Sequence, residues 1–186
     1  VAPYCPKDGT TLSNAEVSEG YKDIQDPSVY VPFRLTDPAR LGLEDGAAFL
    51  VWTTTPWTLP YNVGVAIHPE FEYVAARDKH GAVLIPAASL KDEVLGEEAE
   101  VVRSFKGSEL ERVAYQPLFT EAYEAEGEGK PVWMSGLDTY VSDSDGTGIV
   151  HTAPAFGEDD MRLARNYGFP VIVGVDGEGK HRFGPW

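Results

Sequence analysis

Short apolar runs, broken roughly every ten residues by glycine, proline or aspartate, constrain the fold of this 186-residue chain more than any other feature. Residues 63–67, 71–76 and 82–85 are typical: each is long enough for one strand and is bounded by turn formers. That spacing predicts a barrel or sandwich rather than alternating βαβ units. Further strands are predicted at 99–105, 112–115, 131–134, 139–141 and 148–152, with short helical segments at 38–43 and 88–95. The acidic, glycine-rich stretch 121–130 reads as an exposed loop. The clearest helix runs from Glu158 to Tyr167, where Gly168 can adopt a left-handed cap and Pro170 blocks continuation. The expected class is α+β, mainly β, with a barrel-like β core and a few short helices packed around it. A chain of this length buries roughly 70% of its unfolded surface as one domain. Residues 1–186 therefore read as a single unit, with 1–30 and 175–186 as ribbon-like connections.

Two segments carry possible chemistry. The first is Trp52-Thr53-Thr54-Thr55-Pro56-Trp57-Thr58-Leu59-Pro60, which follows the apolar Ala47, Ala48, Phe49, Leu50 and Val51. Pro56 ends the ladder because proline has no amide proton, so four hydroxyls and two indoles gather where a buried strand breaks. Consecutive threonines also suit a pleated backbone whatever their chemistry. The second segment is Gly146-Thr147-Gly148-Ile149-Val150-His151-Thr152-Ala153-Pro154-Ala155-Phe156-Gly157-Glu158-Asp159-Asp160. Its three final acids fall in the first turn of the predicted helix, where the helix dipole favours negative charge with or without a catalytic role.

Other schemes fit poorly. There is no Gly-x-Ser-x-Gly elbow and no His-Glu-x-x-His pair. Gly146-Thr147-Gly148 begins like a dinucleotide fingerprint, but His151 stands where the third glycine belongs. Asp143-Ser144-Asp145-Gly146 opens like a calcium loop whose twelfth position is Pro154 instead of glutamate, so a turn is the better reading. Cys5, the only cysteine, cannot form an internal disulfide, and Cys5-Pro6-Lys7-Asp8 is half of a zinc knuckle with an aspartate in place of the second thiolate. No metal or other cofactor is expected. No apolar run approaches the ~18 residues of a membrane span, and no leader pattern opens the chain, so a soluble, cytoplasmic protein with no membrane partner is expected.

Together the two segments resemble the editing domain of isoleucyl-tRNA synthetase. The likeness extends to Tyr4-Cys5-Pro6 and to Glu19-Gly20-Tyr21-Lys22-Asp23-Ile24-Gln25-Asp26-Pro27-Ser28-Val29-Tyr30-Val31. Valine- and leucine-specific synthetases have related domains whose threonine strands typically continue Thr-Arg-Pro-Glu-Thr, whereas Thr55-Pro56-Trp57-Thr58 points to the isoleucine enzyme. The resemblance implies a pocket that hydrolyses valine wrongly attached to isoleucine tRNA, with valyl-adenylate as a second candidate substrate, while excluding isoleucine by size. Discrimination against one missing methylene is limited to about 1–3 kcal/mol, a limit for which isoleucine-over-valine selection is itself the standard case.

By the same resemblance, Thr53, Thr54 and Thr55 orient water and hold the ester and terminal ribose, with Asp160 anchoring the ammonium group. His151 is a wall of the pocket, with general-base duty as its second reading. Trp57 and Asn62 occupy substrate-binding positions, and Phe156 bears on the adenine or the rim. The implied partners are valine, the 3′-terminal aminoacyl-adenosine of isoleucine tRNA, and the remainder of the synthetase. The HIGH and KMSKS signatures of adenylate-forming sites are absent from this sequence, so it reads as an excised insertion without an aminoacylation site. The alternative is a non-catalytic, acidic, β-rich module that binds an amino acid or a protein.

With 15 basic against 30 acidic side chains, the formal charge of −15 repels phosphate. The isolated chain should therefore bind isoleucine tRNA no better than nonspecifically, with a Kd in the range of about 10⁻⁴–10⁻⁶ M or weaker. Filter binding at physiological salt measures this directly.

Overall fold

In the computed structural model, residues 3–22, 25 and 27–184 are described. Val1, Ala2, Pro185 and Trp186 of the expected ribbons, and Asp23, Ile24 and Asp26 of the Glu19-to-Val31 stretch, lie outside the described residues. A small hairpin, β1 (Tyr4–Cys5) with β2 (Thr10–Thr11), precedes α1 (Asn14–Glu19). Within that hairpin the Cys5 thiol donates to Asp8 Oδ2 at 3.1 Å. Ser13 and Glu16 cap α1 reciprocally, which satisfies amides that the short helix leaves unpaired.

The main sheet contains β3 (Val29–Arg34), β4 (Ala48–Thr53), β5 (Gly64–Ile67), β6 (Glu72–Arg77), β7 (Val83–Ile85), β8 (Glu100–Lys106), β9 (Met134–Leu137) and β10 (Ile149–Thr152). β3 pairs antiparallel along the whole of β4. On its other edge, β4 pairs first with β7 at Ala48 and Phe49, then with β10 at Trp52. β5 joins β10 to β9. The segment 112–116 closes the sheet on itself: Ala114 bridges Met134, Tyr115 bridges Leu35, and Gln116 donates to the Arg34 carbonyl at 2.7 Å. The barrel-like core expected from strand spacing is therefore present, with β6, β7 and β8 extending from one side.

The inner rows follow the period of two that a strand dictates. Phe49 and Val51 of β4, Val65 and Ile67 of β5, and Ile149 of β10 pack with Phe33 inside the ring. The opposite face of β5 is also covered, which is why all four of its residues are buried. There Ala66 meets Leu163 and Ala164 of the last helix, together with Phe169 and Ile172. The remaining helices are α2 (Lys91–Leu95), α3 (Glu121–Glu126) and α4 (Glu158–Tyr167). Gly168 ends α4 with φ of 74°, as its sequence position predicts.

Four local expectations need correction. Residues 121–126 form α3 and bury Ala122 against the second core, so an apolar contact overrides the acidic composition. Residues 139–141 form a turn, with the Tyr140 amide donating to Asp138 Oδ1 at 3.3 Å. The strand predicted at 112–115 shrinks to bridges at Ala114 and Tyr115, because Arg112 adopts φ of 54°. The 131–134 strand begins only at Met134, after Trp133 at φ of 55°. The 38–43 and 88–95 segments do form short helical turns.

Leu163 is fully buried at the helix–sheet interface. Leu163→Ala should cost about 2–5 kcal/mol of unfolding free energy. Urea denaturation checks this, with an unchanged m value expected.

Candidate active site

Because β4 and β10 run parallel with Val150 beside Trp52, both motif segments leave the sheet at the same end. One residue further along, Thr53 and His151 terminate inward-facing rows that are otherwise apolar. Both are buried. The β4 ladder ends in a self-contained turn, in which Thr53 Oγ1 accepts the Thr55 amide at 3.1 Å and lies 3.3 Å from Thr55 Oγ1. Pro56 then starts a 3-10 turn, Pro56–Tyr61. Thr54 and Thr55 are exposed.

The turn reaches the second motif through two contacts. Thr58 Oγ1 lies 2.8 Å from His151 Nε2, joining positions 93 residues apart, and also donates to the Thr55 carbonyl at 2.8 Å. A hydroxyl has one proton. With that proton on the Thr55 carbonyl, His151 donates from Nε2 and its Nδ1 is a bare lone pair. Nδ1 is buried and has no hydrogen-bond partner among the described residues. The opposite tautomer would bury an N–H without an acceptor, the rarer defect. Burial lowers the His151 pKa to about 4, so the ring is neutral near pH 7. The second contact is edge-on packing of Trp57 against Phe156, with centroids 5.1 Å apart. Trp57 remains half-exposed. Phe156 also meets Tyr61, whose ring stacks on His181.

Asp160 stands in the first turn of α4 and reaches back to the end of β10. Its Oδ2 accepts the Ala153 amide at 2.9 Å, and Oδ1 lies 3.5 Å from the Tyr140 hydroxyl. Burial raises the Asp160 pKa, opposed by these donors and the Ala153 amide first among them. Its neighbours are neutralised differently. Arg162 pairs with Asp138 at 2.9 Å and Asp159 at 2.5 Å, whereas no cation pairs with Asp160 among the described residues.

The predicted residues thus fall into separate groups. Thr53, Thr55 and His151 share one hydrogen-bonded chain through Thr58, and Trp57 and Phe156 form a ring pair. Asp160 attaches to Ala153, two residues beyond His151, without a direct hydrogen bond to the threonine turn. Asn62 serves the scaffold: its amide donates to the Gly64 carbonyl at 2.8 Å and accepts the Tyr115 hydroxyl at 2.6 Å. Thr58, Tyr140 and Arg162 were not singled out by sequence reasoning. Only Thr58 carried a signal, since it lies within the hydroxyl-rich run. Two surface clefts, of about 390 and 450 Å³, lie elsewhere, against β8 beside Phe71 and between Tyr30, Leu84 and Leu95.

No family model matches the chain. It is 49% identical over 180 residues to isoleucine–tRNA ligase of Thermus thermophilus, across 97% of this chain and 16% of that protein. The Thermobifida fusca isoleucine–tRNA ligase is 48% identical over 180 residues, across 96% of this chain and 16% of that protein. The chain belongs to the isoleucine–tRNA ligase family. It spans about one sixth of the length of these relatives. Its fold is similar to the Plasmodium knowlesi cytosolic leucyl-tRNA synthetase editing domain, at a TM-score of 0.59 and 13% identity, covering 80% of this chain and 63% of that one. GlLeuRS-CP1 gives a TM-score of 0.58 and 16% identity, covering 76% of this chain and 63% of that one. The barrel-like sheet of this isoleucine–tRNA ligase segment is thus an editing-domain fold, and its two motif segments occupy one end of it.

The neutral His151 has a consequence for acid stability. Its folded pKa of about 4 lies below the unfolded value of about 6.5, so its contribution is fully present above pH 6.5 and is lost as pH falls through 4. The loss should be on the order of 3 kcal/mol. Unfolding curves from pH 7 to 4 should show it in the native chain and show a shallower decline in His151→Gln.

Proposed function

We propose that this chain is the hydrolytic proofreading domain of an isoleucine–tRNA ligase, releasing valine from mischarged isoleucine tRNA. The observation that carries this reading is the half-buried Asp160 carboxylate, left without a cation among the described residues and anchored on Ala153, two residues beyond the His151 that meets the hydroxyl-rich turn. A substrate ammonium supplies the missing charge through a charge-assisted hydrogen bond. Hydrolysis of an aminoacyl ester then needs a positioned water and donors for the developing oxyanion. Thr54 and Thr55, exposed at the strand end, provide hydroxyls for water, ester and terminal ribose, while Thr53 fixes the turn. On this reading neutral His151 limits the size of the side chain that the site accepts, so that isoleucine is rejected. Trp57 and Phe156 offer an aromatic surface to the terminal adenosine. Valyl-adenylate carries the same ammonium and is a second substrate on this reading.

On this reading the remainder of the synthetase holds the tRNA body, which the acidic balance of this chain supports, and residues 1–30 and 175–186 are proposed as the connections to it. In the cell this activity belongs in the cytoplasm, with protein synthesis.

In a full-length ligase, valine release from mischarged isoleucine tRNA is the decisive measurement. Asp160→Asn should cost about 2–5 kcal/mol of transition-state stabilisation, a fall in kcat/KM of thirtyfold or more. The same substitution should raise stability near pH 7. A carboxyl whose folded pKa is raised stabilises the fold only while protonated, and that contribution is lost as pH rises through its folded pKa. Thermal unfolding at pH 7 reads this effect. Valine binding without any release by the unaltered enzyme would favour the non-catalytic module instead.

A further inference from the structure

We infer that Arg162 is a positioning residue for Asp160, acting by clamping the two neighbouring acids and the turn that carries Tyr140. The inference rests on the proofreading reading above. Arg162 is on α4, two residues beyond Asp160. Its Nε and Nη2 grip the two carboxylate oxygens of Asp138 at 3.2 and 2.9 Å, while Nη1 reaches Asp159 at 2.5 Å. The Asp138 side chain is only 9% exposed, so this fork is set into the structure at one end.

Asp138 passes the constraint onward. Its Oδ1 also accepts the Tyr140 amide, which closes the turn and sends the Tyr140 side chain toward Asp160. The guanidinium carbon lies 5.6 Å from the centre of the Tyr140 ring. One side chain thus bridges the turn to the first turn of α4, with the Tyr140 hydroxyl held at Asp160 Oδ1.

The second effect is electrostatic. The charged and titratable groups around Asp160 are Asp159 and Arg162 on its own helix, and Asp138 and Tyr140 on the facing turn. From the end of β10 come the neutral Ala153 amide and His151, whose ring engages Thr58. Arg162 is the cation among these groups and is shared by the two acids that do not receive the substrate. Without it, Asp159 would present unscreened negative charge to Asp160, and Asp138 would lose the cation that steadies the Tyr140 turn. Ionisation of Asp160, which the ammonium contact requires, would then move to higher pH. Arg162 is about half exposed but Asp138 is nearly buried, so Arg162→Gln also leaves that carboxylate short of its partner, a cost to the fold that is uniform across pH and distinct from a moved acid limb.

The test is the pH dependence of kcat/KM for valine release by the full-length ligase, with Arg162→Gln, Arg162→Lys and Tyr140→Phe. Isoleucylation by the same preparations reports on folding. Arg162→Gln should move the acid limb up by about half a unit to one unit, giving a threefold to tenfold loss below the limb and a smaller loss above it. Arg162→Lys, which keeps the charge without the fork, should shift it less. Tyr140→Phe, which removes one hydroxyl, should shift it in the same direction. An acid limb unmoved in Arg162→Gln and Tyr140→Phe, including a loss that is uniform across pH, overturns the inference while leaving proofreading intact. If the unaltered enzyme releases no valine, the proofreading reading fails and the role assigned to Arg162 falls with it.

Discussion

The parallel pairing of β10 against the end of β4 is the contact on which the rest of the site depends. A parallel pair sends both chains out of the sheet in the same direction. Two segments some ninety residues apart therefore begin their loops side by side. The short distance from Thr58 to His151 then locks the loops together, and the Trp57–Phe156 contact covers them with a second, apolar seam. Gly148 makes the approach into β10 possible. It adopts φ of 69°, and a Cβ there would lie 2.5 Å from the Ala87 side chain. That conformational need, rather than a phosphate site, accounts for the glycine in the Gly146-Thr147-Gly148 turn.

The polar groups at this end are treated unequally. Asn62 and Thr53 are buried with their hydrogen bonds made inside the protein, and both serve to hold backbone corners. Asp138 and Asp159 are buffered by one guanidinium. Asp160 receives an amide and a distant phenol, yet its negative charge is not matched. His151 keeps an unengaged ring nitrogen in a buried position. Such incomplete satisfaction costs stability and is uncommon in an ordinary core. Here His151 Nδ1 and the neighbouring Thr152 Oγ1, both buried without a partner among the described residues, lie at the same strand end as the uncompensated Asp160 charge, the arrangement expected where a ligand completes the hydrogen bonding.

Much of the scaffold was legible because it obeys simple periods. The regular spacing of apolar runs indicated the barrel-like sheet, and α4 carried both an inward face and an unambiguous stop at Gly168. The misreadings have physical causes. The stretch 121–126 looks solvated by composition, yet a single buried alanine is enough to seat α3. The stretch 139–141 has strand-like residues, but an aspartate side chain captures the local amide before a ladder can. Arg112 and Trp133 break predicted strands by adopting positive φ, which nothing in their side chains announces. At the site, the motif segments marked the Thr58–His151 neighbourhood, while Tyr140 and Arg162 gain their positions only through tertiary contacts. Asn62 shows the converse: a polar residue beside a motif was taken up by the scaffold.

The single-register meeting of β4 and β10 also limits how the chain can tolerate changes in length. Adding or removing one residue between Trp52 and Thr55 would reverse which hydroxyls face the barrel interior, since neighbouring strand residues point to opposite sides. The same change between Val150 and Ala153 would carry His151 away from Thr58 and displace the amide that holds Asp160. Of the loops at the far end of these strands, Gly146–Gly148 before β10 is held against Ala87, but the exposed turn 44–46 before β4 feels no such restriction. Insertions and domain fusions therefore belong there, where the backbone can grow without altering the Thr58–His151 and Ala153–Asp160 contacts.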